Sequence, residues 1–516
     1  QELHMKKNRE KATPGYYSTA FTNGIKTELT ATHAMAVERY KFPRSISAAL
    51  WVDFASTFED VATCQYKRVS DTCIEGYVQA KNVCGHGRYK LYFSLNTDQP
   101  FQLEEQKETT ACLTFGKKVR AVEVRIGLSA LSSELASWEC ARWEKMDFAE
   151  LKSQTGNQWE KQLSAIDVKG GKKDDKVIFY TSLYRAYLSP ADVSSPDGAY
   201  LGTDGKVYIS EDFRYYSNWS LWDTFRTKFP LLVLTEPARM RDMATSLIHL
   251  YATGKKDWST GFESTPTVRT EHAVILLLDA YRKGITTLDF RKGYAGMKEE
   301  MERLPMRSPD QKMESAYDLW AMAQIAEIIG EKADSEQYRQ RSVSLFEETW
   351  KKEFMNVTPA FEVMKNNGLY QGTRWQYRWA APQYIDKMIE WVGQDSLRSQ
   401  LTYFFDHHLY NQGNEPDIHV PYLFNRLGAP EKTQQIVRSL MTEPMIHKYG
   451  GNSEFKTPYL GKAFKNDPEG YSPEMDEDDG TMSAWYVFGA MGFYPLLVGD
   501  EYYDLTSPLF DRVLLR

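Results

Sequence analysis

The residues best suited to chemistry in this chain are carboxylates set among aromatic loops. Met475-Asp476-Glu477-Asp478-Asp479-Gly480 places four consecutive acids just before the apolar stretch Thr481-Met482-Ser483-Ala484-Trp485-Tyr486. An acid run at a helix start is ordinarily a solvated N-terminal turn, favoured by the helix dipole. Against a cleft wall the same run can take a proton from water. Crowded like charges raise a carboxylate pKa there, and a cation lowers it. Asp476 and Asp478 are therefore candidate general bases.

Three further clusters carry comparable potential. Gln412-Gly413-Asn414-Glu415-Pro416-Asp417-Ile418-His419 offers amide and carboxylate oxygens of the kind a hard cation such as Ca²⁺ prefers. It lacks the spacing of an EF-hand loop, and a polar turn before Leu423 accounts for it equally well. Gly368-Leu369-Tyr370-Gln371-Gly372-Thr373-Arg374-Trp375-Gln376-Tyr377-Arg378-Trp379 combines flat aromatic faces with forked polar groups, as a sugar site requires. Its plainer reading is a helix start with aromatics in the core. In Tyr216-Ser217-Asn218-Trp219-Ser220-Leu221-Trp222-Asp223-Thr224-Phe225-Arg226-Thr227, Asp223 and Arg226 form either an i, i+3 ion pair or a pocket wall beside Trp222.

Other chemistries lose their usual signals. There is no Walker loop, no Gly-x-Gly-x-x-Gly after a strand, no His-Glu-x-x-His and no Gly-x-Ser-x-Gly. A net charge of −7 argues against a nucleic-acid partner, which needs a basic stripe. No apolar run approaches the ~18 residues of a membrane span; the stretch Ala273 to Leu278 stops at Asp279. The opening Gln1-Glu2-Leu3-His4-Met5-Lys6-Lys7 is polar and shows no signal peptide. Cys64, Cys73, Cys84, Cys112 and Cys140 include no Cys-x-x-Cys, which disfavours zinc. One or two disulfides are compatible with an exported chain. Aromatic residues make up 14% of the chain, with 13 Trp, a content that serves large cores more often than sugar stacking. Nothing in the sequence signals an oligomeric state.

The elements that must position these clusters fall into two regimes. Val122-Glu123-Val124-Arg125-Ile126 and Lys90-Leu91-Tyr92-Phe93-Ser94-Leu95 alternate as strands do, and Asn23-Gly24 and Pro14-Gly15 supply turns. Residues 1–142 thus read as a β-sandwich domain. Trp143 to Lys161 reads as a polar helix within a helical linker at 143–176. From Val177 the period is helical. Met240, Met243, Leu247 and Leu250 follow Pro237, Trp320 to Ile329 forms an apolar face, and Ala484 to Met491 stops near Gly492. Residues 177–516 read as a helical barrel. The expected fold is multidomain, an N-terminal β-sandwich followed by that barrel, and fold alone assigns no chemistry.

Together these motifs resemble glycoside hydrolase family 92, the calcium-dependent exo-α-mannosidases. The likeness runs from Pro14-Gly15-Tyr16-Tyr17 to Ser507-Pro508-Leu509-Phe510. It includes, in order, Leu221-Trp222-Asp223-Thr224-Phe225-Arg226, Gly413-Asn414-Glu415-Pro416 and Met482-Ser483-Ala484-Trp485-Tyr486-Val487-Phe488. The resemblance implies an enzyme that inverts the anomeric carbon of terminal α-mannosides in glycans, with a calcium ion that helps distort the sugar. It makes Asp476 and Asp478 the activators of water. It puts Trp222 and Asp223 on the terminal mannose, Glu263, Trp375 and Gln376 along the pocket, and Asn414, Glu415 and Asp478 near the metal. It also implies that the barrel at 177–516 is an (α/α)6 barrel, and export from a bacterial cell, to the periplasm or surface. Opening sandwich residues and a terminal stretch of the family's span are expected to be missing here.

Departures from the pattern shape the expected substrate. Gln371 stands where the family carries its proton-donating Glu, and an amide cannot protonate a glycosidic oxygen. For a sugar leaving group that loss costs on the order of 10²–10⁴ in rate. A phosphate leaving group departs as an anion without a proton, so a mannose-1-phosphate diester is one expected substrate, with Arg374 a candidate phosphate partner. Asn414 replaces the His expected of α-1,2-specific members, the 267–273 segment lacks the family's Gly, and Lys448 to Glu474 reads as an insertion. An inverting pair should stand ~6.5–9.5 Å apart, with Gln371 facing Asp476 and Asp478. The alternative reading is a non-catalytic mannoglycan-binding paralogue. A glycoside phosphorylase is a weaker third, because it needs an intact acid.

Overall fold

The structure is a computed structural model that describes residues 3–106, 108–365 and 368–516, with the backbone alone at 105 and 106. Gln1 and Glu2, which open the polar N-terminal stretch, lie outside the described residues. Two compact units are present. One comprises residues up to Ser164 with Pro190–Trp219 and Lys256–Arg269. The other comprises Ala165–Ser189, Ser220–Lys255 and Thr270–Arg516.

The first unit is strand-rich. Its eight-stranded sheet runs in spatial order Lys11–Thr13, Tyr16–Ala20, Lys26–Ala31, Met35–Lys41, Ala121–Ser129, Arg88–Thr97, Cys73–Lys81 and Val61–Arg68. Ala49–Asp53, Thr110–Phe115 and Phe101–Gln106 form a second sheet. The strands read from alternation are present: Val122 and Val124 point inward while Ala121 and Glu123 do not. Ile74, Phe93 and Leu95 of the larger sheet share one core with Ala111, Leu113 and Phe101 of the smaller, as two packed sheets require. Gly24, at φ 92°, makes the turn before Lys26–Ala31, a conformation that costs glycine little.

Two helices, Ser133–Arg142 and Phe148–Leu163, follow the sheet in this unit. Asp147 and Glu150 cap the second reciprocally, each carboxylate accepting the other's backbone N–H at 2.9 Å. Its Phe148 and Leu151 cluster with Met35 and Val37 of a strand and Cys140 of the first helix. All five cysteines are free thiols, so the disulfides that export permits are not formed.

The second unit is helical. Met240, Met243, Leu247 and Leu250 line the buried face of Pro237–Thr253, and Gly492 at φ 95° ends Thr481–Met491. Pro309–Ile328 packs on Lys332–Glu353, Pro237–Thr253 on Phe290–Met301, and Ile385–Val392 on Gln394–Asp406. The last helix, Thr481–Met491, packs on Lys173–Ala186, the first of the unit. A short ladder pairs Ile166–Lys169 with Arg512–Leu515 and ties the two ends of this unit together.

Candidate active site

In the helical unit three carboxylates from distant parts of the chain converge. Asp223, Glu415 and Asp478 each place an oxygen within 4.8 Å of the others. Asp223 sits in the short helix Leu221–Thr224 and accepts from Ser220 Oγ. Glu415 opens the 3₁₀ turn Glu415–Asp417 and is fully buried. Neither of its carboxylate oxygens accepts from an N–H or hydroxyl of the protein, and its polar partner is the Asp478 carboxyl. Buried carboxylates are normally paired or bound to a cation. Burial and the neighbouring Asp478 and Asp223 push Glu415 well above the usual carboxylate range. Burial, then Asp223, push Asp478 up to about 8.

Asp478 is held there by an unusual backbone. Asp478, Asp479 and Gly480 are consecutive left-handed residues, at φ 46°, 57° and 100°. Each non-glycine residue in that region costs roughly 1–2 kcal/mol. Glu477 stabilises the turn by accepting from Gly480 N at 2.6 Å. Asp476 is exposed, and partial desolvation followed by Glu474 raises its pKa. Its backbone N–H donates to Gly413 O at 3.3 Å, which links the acidic turn to the segment bearing Glu415.

Gln371 is connected to the same segment. Asn414 Nδ2 donates to Gln371 Oε1 at 3.1 Å and to its backbone O at 3.2 Å. Gln371 Nε2 donates to Tyr370 Oη at 3.1 Å. The amide is therefore oriented from both sides, with its own backbone left-handed at φ 52°. Tyr370, 43% exposed, meets Trp222 edge-on at 5.2 Å. Trp222 is only 2% exposed, donates from Nε1 to Glu314 at 2.8 Å, and carries the Arg226 guanidinium over its ring. Arg226 also lies 3.5 Å from Glu314, whose pKa is raised by burial.

The structure thus gathers Trp222, Asp223, Gln371, Asn414, Glu415, Asp476 and Asp478, and it gives the remaining residues read from sequence partners of their own. The carboxylate cluster includes Asp223, read from sequence as a sugar ligand, while the Asn414 amide nitrogen turns to Gln371. Trp375 is a core residue, 2% exposed, packed between Tyr403, Phe361 and Phe404. Gln376 completes a capping box with Thr373 and donates to Leu409 O. Arg374 is held by Glu353 at 3.0 Å. Glu263 belongs to the strand-rich unit, where it accepts from Thr260 N at 2.7 Å and burial raises its pKa. The wall residue beside Gln371 is Tyr370, which sequence reading left unassigned although it adjoins the substitution.

A family model described as the glycosyl hydrolase family 92 catalytic domain matches residues 135–516, and one for the family's N-terminal domain matches residues 1–129. The chain belongs to glycosyl hydrolase family 92. Solved family 92 structures share its fold. The glycosyl hydrolase ccman5 is 26% identical, with a TM-score of 0.89 over 99% of this chain and 79% of that one. The alpha-mannosidase BT3965 from Bacteroides thetaiotaomicron is 24% identical, with a TM-score of 0.85 over 100% of this chain and 75% of that one. It has also been solved with mannoimidazole. A protein from Arthroderma benhamiae described as an uncharacterized secreted glycosidase is 20% identical over 630 residues, covering 100% of this chain and 73% of that protein. Membership in family 92 makes the chain a glycoside hydrolase by its domains, with the three converging carboxylates inside the residues matched to the catalytic domain.

Proposed function

We propose that this chain is a calcium-dependent, inverting exo-α-mannosidase acting on terminal α-mannosides of glycans, and that its leaving group departs without a proton, as in a mannose-1-phosphate diester. The observation that carries the reading is the buried Glu415 carboxylate, which no N–H or hydroxyl of the protein reaches, beside Asp223 and Asp478. Three carboxylates this close suit a hard divalent cation, since oxygen ligands and clustered negative charge are what Ca²⁺ requires. Asp223, Glu415 and Asp478 would hold it, with Asn414 adjacent. When bound, calcium supplies positive charge for sugar hydroxyl oxygens.

The chain's own residues supply the remaining steps. Asp476 and Asp478 take a proton from water as its oxygen bonds to C1 of the mannose. The bond from C1 to the leaving oxygen breaks, and the electron pair goes with the departing group. Gln371 gives no proton. With Oε1 accepting from Asn414, its Nε2 keeps a second hydrogen to donate to the departing oxygen. Tyr370 offers its ring beside that position. Arg374, already paired with Glu353, has no part in this scheme. Export agrees with the secreted relative, and no helix among the described residues is long and apolar enough to cross a membrane.

The test compares an α-mannosyl phosphodiester with an α-1,2-mannobioside, with and without EDTA, following product stereochemistry by NMR. The expected result is faster, calcium-dependent release of β-mannose from the phosphodiester. Preference for the mannobioside removes the diester. The oriented amide at 371 also favours one second reading, a mannoglycan-binding paralogue. Retained mannoside binding without turnover, even of an aryl mannoside, selects it.

A further inference from the structure

Lys228 is a cation in the wrong place for an ordinary lysine. It opens the helix Lys228–Thr235, whose sequence Lys-Phe-Pro-Leu-Leu-Val-Leu-Thr is apolar from Phe229 to Leu234, and its side chain is 0% exposed. Burying an ammonium is costly unless its donors are matched. Here they converge on the acidic turn. Nζ donates to the Asp479 backbone O and to Ser189 Oγ, and lies 3.7 Å from Asp479 Oδ2. Ser189 Oγ in turn donates to Asp479 Oδ1. The lysine stem also packs on the turn: a Cβ at Gly480 would lie 3.2 Å from Lys228 Cδ and 2.9 Å from Ala186 Cα.

This network answers a problem the turn poses. Two adjacent aspartates in the left-handed region are unfavourable by roughly 1–2 kcal/mol each, and Asp478 sits among other carboxylates. Unheld, the turn would relax and carry the Asp478 carboxylate away from Asp223 and Glu415. We propose that Lys228 is a positioning residue: through Ser189 and Asp479 its ammonium clamps the left-handed turn that presents Asp478 to the reaction site. The role of Asp478 in that site rests on the reading above. The clamp itself is a matter of backbone geometry and is measurable without turnover.

The experiment uses the whole chain with Lys228→Met, which keeps the bulk and removes the donors, and Ser189→Ala, which keeps the ammonium and removes the bridge. Two quantities are read: hydrogen–deuterium exchange of the 477–480 amides in EDTA, and the kcat and KM for the best mannoside. In Lys228→Met the turn is expected to exchange faster while the strand-rich unit keeps its protection. Its kcat should fall about 10–100-fold, the range seen when a site ligand loses its supporting partner, with KM little changed. Ser189→Ala should show the same pattern more weakly. Unchanged exchange at 477–480, or wild-type kcat, in both variants overturns the clamp. If Lys228→Met fails to fold, Ser189→Ala decides by the same two readouts. If the wild type hydrolyses no mannoside, the proposed function fails and exchange alone decides the clamp.

Discussion

Gln371 has its side-chain amide fixed at both ends, by Asn414 Nδ2 at one and Tyr370 Oη at the other. An amide so held can donate a hydrogen bond but cannot release a proton. Gln371→Glu restores a titratable group at a position whose neighbours already orient a planar side chain. Hydrolysis of an α-mannosyl disaccharide should then rise by about 10²–10⁴-fold, the usual worth of a general acid. The new group acts only while protonated, so the gain should fade as pH rises. Rate–pH profiles on the disaccharide check both features, and an unchanged rate would mean Gln371 does not face the leaving group. At this scale the substituted position could be read directly from the string Gln371-Gly372-Thr373-Arg374-Trp375-Gln376-Tyr377. The partners that fix it lie 43 residues away in one case and adjacent in the other, and only the first needed the fold. Glu314, which anchors the Trp222 indole across 92 residues, left no local trace.

The segment from Asn411 to Arg426 satisfies its polar groups partly within itself and partly through distant chain, as where Asn411 Nδ2 donates to Gly450 O and Trp485 Nε1 donates to Ile418 O. Asn411 N donates to Asp417 Oδ2, and Gly413 N donates to Asn411 Oδ1. These bonds let two 3₁₀ turns, Glu415–Asp417 and Val420–Tyr422, be buried without a regular helix. His419 between them donates from Nε2 to Trp379 O at 2.7 Å. It lines a small pocket alongside Arg226, His272 and Glu314. Burial lowers its pKa from 6.5 to about 4, with the Arg226 charge adding a smaller push the same way. The unfolded chain therefore takes up a proton below pH 6.5 that the folded chain refuses until about pH 4. Its contribution to stability is complete above pH 6.5 and is lost between 6.5 and 4, by on the order of 3 kcal/mol. Urea unfolding at pH 7, 5.5 and 4.5 should show this slope, and His419→Gln should flatten it. An equal slope in the variant would assign the acid sensitivity elsewhere. Element type was easier to read than element role. The helix Thr481–Met491 is buried on every side, so it has no polar face, yet its length and Gly492 marked it. The left-handed Asp478–Asp479 pair had no such mark beyond Gly480, because nothing in an aspartate's neighbours says that tertiary contacts will override its backbone preference.

At the level of the whole molecule, the candidate metal ligands all belong to the helical unit. A ligand bound only by the folded form stabilises the unit that carries its site. Calcium at about 100 times its dissociation constant should add about 2.7 kcal/mol to unfolding of the helical unit, reversed by EDTA. Calorimetry paired with amide exchange checks this, since protection in the strand-rich unit should not respond. Absence of any calcium-dependent shift would take the metal out of the mechanism. Burial first, and then the neighbouring carboxylates, raise the proton affinity of Glu415 and Asp478.

Local order decided what the sequence could show by itself. Period-two alternation at Val122 to Ile126, period-3.6 spacing at Met240 to Leu250 and glycine at turn and helix ends depend on neighbours a few residues apart. They announced the strand-rich first part, the helical remainder and the acidic, aromatic strings of the site. Tertiary structure decided which members of those strings work together. Asp223, Glu415 and Asp478 are separated by at least 63 residues along the chain and meet only when the helices pack. Trp375 and Gln376 suit a sugar site by type, and packing sets aromatic rings around the one and a capping box at the other. Lys228 opens an apolar helix and carries no local sign of a role, and burial made it the partner of Asp479. Chemistry of this kind depends on distance and on exclusion of water, and both are properties of the folded whole.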